Sequence, residues 1–150
     1  MAIRILIQHD DFDLAAEYQR LRSENPQAGA VVTFTGLVRD FNASGDVTGI
    51  VLEHYPGMTE KSLQRITAQA VERWGVSGVT IIHRVGELLS TEQIVLAGVA
   101  ASHRSEAFFA AEFIMDYLKT EAPFWKRECH PEGESWVDAK ATDQRARDRW

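Results

Sequence analysis

Residues 94–108 read Ile94-Val95-Leu96-Ala97-Gly98-Val99-Ala100-Ala101-Ser102-His103-Arg104-Ser105-Glu106-Ala107-Phe108. The apolar run Ile94 to Ala101 suits a strand. From Ser102 the pattern switches to helical spacing, with Ala107, Ala111, Ile114 and Leu118 on one stripe that Phe108, Phe113 and Tyr117 widen, until Pro123 closes the helix. At the junction, His103 and Arg104 put two cations where a helix start already carries partial positive charge and unpaired amides. Acids would be stabilising there and cations are not, so these residues imply a negatively charged guest. Free amides, an imidazole and a guanidinium converging on one point make a pocket for phosphate or carboxylate.

The same alternation of strand and helix extends outward in both directions. Ile3 to Ile7 is a short apolar run suited to a strand, and Asp11 or Asp13 can cap an amphipathic stretch from Phe12 to about Glu24, which Pro26 and Gly29 end. Ala30 to Val38 is rich in β-branched and aromatic residues, which predicts a buried strand that delivers Arg39 at its exit. A polar loop from Asp40 to Asp46 follows, with Asn42, Ser44 and Gly45 as turn residues, and Val47 to Tyr55 reads as the returning strand. Pro56-Gly57 turns that strand into a helix from about Met58 to Trp74, whose Leu63, Ile66, Ala70 and Trp74 recur at the spacing of a core-facing stripe. Val79 to His83 is a further strand, and beyond Pro123 the segments Phe124–Cys129 and Ser135–Asp138 predict a hairpin around Pro131-Glu132-Gly133.

The resulting order, β-α-β-β-α-β-β-α-β-β, predicts an α+β fold with helices on a largely antiparallel sheet, in preference to a doubly wound parallel sheet. One domain over residues 1–138 accounts for it. From Ala139 to Trp150 the apolar periodicity fails and Lys140, Arg145, Arg147 and Arg149 face Asp143 and Asp148, the pattern of a mobile basic tail. Trp150 is odd on a solvated tail and is expected to dock on a partner or back into the basic pocket.

Composition narrows the function. The chain has 150 residues, 45% of them hydrophobic, enough to bury a core without metal or disulfide staples. Met1 to Gln8 is too short for the apolar region of a signal peptide, and no apolar run approaches the roughly 20 residues that span a bilayer, so a cytoplasmic address is expected. Cys129 is the only cysteine, which excludes an internal disulfide, a CxxC redox pair and a thiolate zinc site, and reads as a small half-buried apolar residue. A formal charge of −6 argues against general nucleic-acid binding, so any anion site must be local. The basic residues do cluster, at Arg39, His83-Arg84, His103-Arg104, and from Lys119 through Lys126-Arg127.

Lys119 lies at the end of its helix, where a cation also complements the macrodipole. Strand alternation puts Lys126 on the side of Phe124, opposite Trp125 and Arg127, an unusual place for a lysine unless that face lines a cleft. Sharing a pocket with Arg39, His103 and Arg104 would lower the lysine pKa values toward neutrality, and bound anions would oppose that shift. GxGxxG, GxxxxGK[ST], GxSxG and HExxH are all absent. His9 and His130 read as surface histidines, His54 as a strand residue, and none has metal-ligand spacing. Glu53 and Glu87 read as a structural pair of strand-end acids. These residues favour an anion-handling site with neither metal nor cofactor.

Five segments taken in order, Val32-Thr33-Phe34-Thr35-Gly36-Leu37-Val38-Arg39, Leu52-Glu53-His54-Tyr55-Pro56-Gly57-Met58, His83-Arg84-Val85-Gly86-Glu87, Ser102-His103-Arg104 with Ala107-Phe108, and Pro123-Phe124-Trp125-Lys126-Arg127-Glu128, closely resemble the catalytic large subunits of molybdopterin synthase. The likeness spans about Gly29 to Val137. It departs from the family pattern at Arg127, where lysine is frequent, and Cys129 is no hallmark of the family.

The resemblance implies an α/β hammerhead fold with an additional small antiparallel β subdomain. It implies a homodimeric core with a small ubiquitin-like subunit at each end, a heterotetramer. The family's sulfur donor is that small subunit's C-terminal Gly-Gly thiocarboxylate, its substrate is cyclic pyranopterin monophosphate, and its product is the dithiolene of molybdopterin. A chain with one undistinguished cysteine agrees with a donor that is a separate protein. By the same resemblance, Lys119 and Lys126 correspond to the catalytic pair; Arg39, His103 and Arg104 correspond to phosphate and pterin grips; and Leu37, Val38, Arg127 and Glu128 to neighbouring substrate contacts. Two other readings stand beside this one: a non-catalytic adaptor that binds a ubiquitin-like tail, and a phosphate-ester enzyme acting alone.

Overall fold

In chain order the elements of the computed structural model are β1 (Ala2–Gln8), α1 (Leu14–Glu24), β2 (Ala30–Leu37), β3 (Gly49–His54), α2 (Met58–Trp74), β4 (Gly78–Arg84), β5 (Gly86–Leu89), β6 (Gln93–Ala101), α3 (Arg104–Glu121), β7 (Phe124–His130), β8 (Gly133–Val137) and α4 (Ala141–Asp148). The structure describes residues 2–39, 49–130, 133–137 and 141–150. The predicted Asp40–Asp46 loop and the Pro131-Glu132 part of the hairpin turn fall outside them.

The strands form two four-stranded sheets, β1-β4-β6-β2 and β5-β3-β7-β8. Among the described pairs only β1 with β4 is parallel, so the mixed, mainly antiparallel fold expected from element order is the one observed. β4 is buried along its whole length and β6 from Val95 onward, because helices cover both faces of the first sheet. On one face Val79, Ile81, Val95, Ala97 and Val99 meet Leu63, Ile66 and Ala70 of α2 and Ala107, Ala110, Phe113, Ile114 and Leu118 of α3. On the other, Ile82 and Leu96 meet Phe12, and a Cβ built on Gly98 would lie 2.6 Å from Leu21 of α1, so glycine is what allows that helix to approach. Truncating a side chain as fully enclosed as Phe113 would cost roughly 3–5 kcal/mol.

The second sheet has its own small core of Val38, Ile50, Leu52 and Leu88. Strand alternation therefore gives it an inner face carrying residues 50, 52 and 54 of β3 and, by register, 124, 126 and 128 of β7. Val38 belongs to this core although it directly follows β2 of the first sheet, so the chain crosses from one sheet to the other just before Arg39.

Three expectations are corrected. β5 is an extra strand of four residues, too short to show periodicity and made by pairing with β3 after the left-handed turn at Gly86 (φ 91°). Phe108 does not widen the core stripe but is 61% exposed. The segment read as a mobile tail contains α4, docked on α3: Arg147 pairs with Glu121 at 2.8 Å, Arg149 with Glu112 and Asp116, and the Trp150 indole N–H donates to Asp116 Oδ2 at 2.6 Å. Trp150 packs edge-on to Trp74 and Phe113 on its own chain, not into a basic pocket.

Candidate active site

β2 and β6 pair antiparallel, Ala30 opposite Ala101 and Leu37 opposite Gln93, while α3 leaves the Ala101 end of β6 and runs back over the sheet. The C-terminal end of α3 therefore returns to the edge where β2 releases Arg39 and β4 ends in His83-Arg84. Lys119, exposed in the last turn of α3, belongs to that edge. Pro123 cannot continue the helix, and the Phe124 N–H donates to the Ala122 carbonyl at 2.9 Å, a tight turn that starts β7 at once. Two residues later Lys126 stands opposite Leu52, on the inner face of the second sheet, as strand alternation predicts. Glu128 shares that face. Lys119, Lys126 and Arg39 are thus carried to the junction of the two sheets, with exposed Leu37 and buried Val38 immediately before Arg39.

His103 and Arg104 go elsewhere. His103 is the N-cap of α3, extended at φ −133°, ψ 156° and without a side-chain cap, and both residues are exposed around an open depression of about 520 Å³ with Gly29, Ser102 and Ser105. Lys119 lies sixteen positions after His103, about 24 Å along the axis at the helical rise. The two groups of cations occupy opposite ends of α3, so one chain by itself does not bring them into a single pocket.

Two further cations are absorbed by structure. Arg84 is buried; its Nε donates to the His9 carbonyl at 3.1 Å and its Nη1 to the Gln93 carbonyl at 2.9 Å, with Asp11 and Glu92 carboxylates at 3.8 and 4.0 Å. It ties the exits of β1 and β4 to β6. Arg127 lies on the outer face of β7 and donates to Glu53 Oε1 at 2.6 Å, so Glu53 partners a cation of the neighbouring strand and is not paired with Glu87.

Sequence reasoning passed over His83 and His54. His83 is 3% exposed; its ring stacks on Phe124 with centroids 3.7 Å apart, and burial holds it neutral, its pKa pushed down to about 3. A hydrogen bond with the Arg84 carbonyl opposes that depression, whereas the neighbouring Lys119 and His54 deepen it. His54 is opposite Phe124 in the β3–β7 register, and its Nδ1 is buried with no hydrogen-bond partner among the described residues. The available signal was a histidine inside an otherwise apolar strand. Cys129 is half-buried. Among the described residues no group of three or more His, Cys, Asp or Glu side chains could hold a metal ion, and no helix is long and apolar enough to cross a membrane.

Two sheets meeting at a cationic junction, under helices packed on the larger sheet, define a class of α+β protein with known members. A solved structure described as the molybdopterin biosynthesis MoaE protein from Burkholderia ambifaria superposes with a TM-score of 0.86 at 56% identity, covering 100% of this chain and 98% of that one. Molybdopterin synthase from Staphylococcus aureus superposes with a TM-score of 0.79 at 31% identity, covering 88% and 95%. The molybdopterin synthase catalytic subunit of Vibrio cholerae is 54% identical over 147 residues, 98% of this chain and 97% of that protein. The family model for MoaE protein matches residues 7–121. The chain belongs to the MoaE family, that of the molybdopterin synthase catalytic subunits.

Proposed function

We infer that this chain transfers sulfur from the C-terminal thiocarboxylate of a small ubiquitin-like partner to cyclic pyranopterin monophosphate, building the dithiolene of molybdopterin in the cytoplasm. The observation that supports the site assignment is the tight turn at Ala122–Phe124, which joins the end of α3, carrying Lys119, directly to the start of β7, carrying Lys126. Lys119, at the open end of α3, meets the partner's terminal carbonyl and stabilises the oxyanion that forms when water adds to it, so that the acyl–sulfur bond breaks, sulfur stays on the pterin and the partner leaves with a C-terminal carboxylate. Lys126, on the inner face, handles a proton on the pterin side as sulfur adds and the cyclic phosphate opens. Arg39 holds the phosphate, with Leu37, Val38 and Glu128 beside it. Arg127, on the outer face of β7 and paired with Glu53, would act on substrate only after giving up that carboxylate.

His103 and Arg104 join the same pocket only if a second copy of the chain supplies them, because α3 holds them about 24 Å from its own Lys119. β2 is a sheet edge bearing Phe34 at 42% exposure, and α3 adds the exposed Phe108, an apolar surface suited to a homodimer. One small subunit on each half then gives a heterotetramer. The deciding experiment incubates the pure chain with cyclic pyranopterin monophosphate, with and without thiocarboxylated partner. Conversion only with the partner is expected. Conversion of the phosphate by the chain alone would select a stand-alone phosphate-ester enzyme, and tight partner binding without turnover an adaptor.

A further inference from the structure

Sulfur transfer as described leaves the buried histidine at the end of β4 without a task. A carbonyl can only accept, so the 2.8 Å contact between His83 Nδ1 and the Arg84 carbonyl places the ring proton on Nδ1. Arg84 is itself anchored on the His9 and Gln93 carbonyls, which gives that hydrogen bond a rigid base. The opposite side of the arrangement is the stack: the His83 and Phe124 rings are 15° from parallel. Phe124 occupies a particular place, five residues after Lys119, two before Lys126, and directly after the turn closed on Ala122. Any tilt of β7 relative to α3 must pass through it. The ionisable groups that bear on His83 are Lys119 and His54, and a ring kept neutral by burial adds no repulsion to Lys119.

We propose that His83 is a positioning residue of the sulfur-transfer site, its stack on Phe124 setting the angle between α3 and β7 and hence the separation of Lys119 and Lys126. The inference rests on the assignment of those two lysines given above. A misplacement of about 1 Å between catalytic groups can cost on the order of 100-fold in rate, so a packing residue with no contact to substrate can govern turnover.

Two substitutions separate ring from hydrogen bond. His83→Phe keeps a flat ring against Phe124 and loses the Nδ1 donor; His83→Asn keeps a donor near that position and loses the ring. With thiocarboxylated partner in excess, kcat per folded chain is expected to fall roughly 10- to 100-fold in His83→Asn with KM for the pterin nearly unchanged, and His83→Phe is expected to recover most of it. Phe124→Leu should reproduce the loss, and the double variant His83→Asn/Phe124→Leu should be no worse than the poorer single one, since both break one stack. Phe124→Leu also serves as the comparison if His83→Asn does not fold. A wild-type kcat per folded chain in His83→Asn or Phe124→Leu, equal impairment of His83→Phe and His83→Asn, or additive losses in the double variant would each overturn the proposal. Lys119→Ala, assayed alongside, keeps the two failures apart. If it turns over normally the lysine assignment itself is wrong, whereas its loss beside unaffected His83 and Phe124 variants sinks only the positioning role.

Discussion

The two ends of α3 carry the same kind of side chain in opposite settings. At the C-terminal end, Lys119 sits over a junction where β2, β4 and β7 all begin or end, with a neutral buried imidazole and a stacked phenyl ring behind it. At the N-terminal end, His103 and Arg104 project from an uncapped turn around an open depression, with only Gly29 and the first turn of the helix for walls. The first end is organised by this chain; at the second, His103, Arg104 and Glu106 line a depression that is open among the described residues. A helix about 27 Å long thus serves as a ruler that forbids one chain from using both ends in one reaction. A dimer that places one chain's N-terminal end on the other's junction would use both.

The sharpest way to break this contrast is to remove the organised end. Lys119→Ala should lower turnover by roughly 100-fold or more while leaving thermal stability nearly unchanged, because the side chain is exposed and its work lies in the transition state. Near-normal turnover in a partner-saturated assay would end the assignment. Mixing variants tests the other end: Arg104→Ala should also be impaired, yet co-refolded Lys119→Ala and Arg104→Ala chains should regain about a quarter of wild-type activity, since half the dimers are mixed and each holds one intact pocket. No recovery on mixing would place Arg104 outside the pocket that holds Lys119.

What was legible in the chain beforehand follows the same division. α2 was expected from Met58 to Trp74 and spans those residues, because its apolar stripe and the Gly57 start are local signals. Lys126 was assigned to the inner face by alternation alone, and the β3–β7 register agrees. β5 was missed because four residues show no period and exist as a strand only by pairing with β3. α4 was missed because its carboxylate partners, Glu112, Asp116 and Glu121, lie on a distant helix, so its charges looked solvated. Which chain supplies each cation of the basic pocket was not legible for a geometric reason: adjacency of cation clusters in a list of residues carries no length, and α3 has one. His83 looked like one more cation because burial, which makes it neutral, is a property of the assembled sheet.

That neutrality gives the next prediction. An unfolded chain protonates His83 as the pH drops through its ordinary value of 6.5, whereas the folded chain resists until about pH 3. Between those limits the unfolded state binds more protons, so stability falls as pH falls, by at most about 1.4 kcal/mol per pH unit from this residue. Carboxylates add their own acid sensitivity, so the comparison must be internal: urea midpoints of wild type and His83→Phe, measured from pH 7 to pH 4, should differ in slope because the phenyl ring has no proton to take up. The wild-type midpoint should fall more steeply than the variant's whichever starts higher, and equal slopes would show that His83 titrates alike in both states and is not sealed at the junction.

The smallest effect concerns the outer face of β7, where the contrast with Lys126 is sharpest because the two side chains are adjacent in sequence and opposite in direction. Arg127 and Glu53 are 29% and 47% exposed, so water screens their attraction and a double-mutant cycle with Arg127→Ala and Glu53→Ala should return a coupling of about 0.2–1 kcal/mol in stability. Turnover should change by less than about threefold in either single variant, because a group spent on an ion pair one face away supplies no charge where sulfur is transferred. A rise in KM for the pterin beyond about tenfold in Arg127→Ala, with Glu53→Ala leaving KM untouched, would move Arg127 into the substrate pocket. Substrate would then have to wrap the edge of β7, and the junction of the two sheets would be only part of the site.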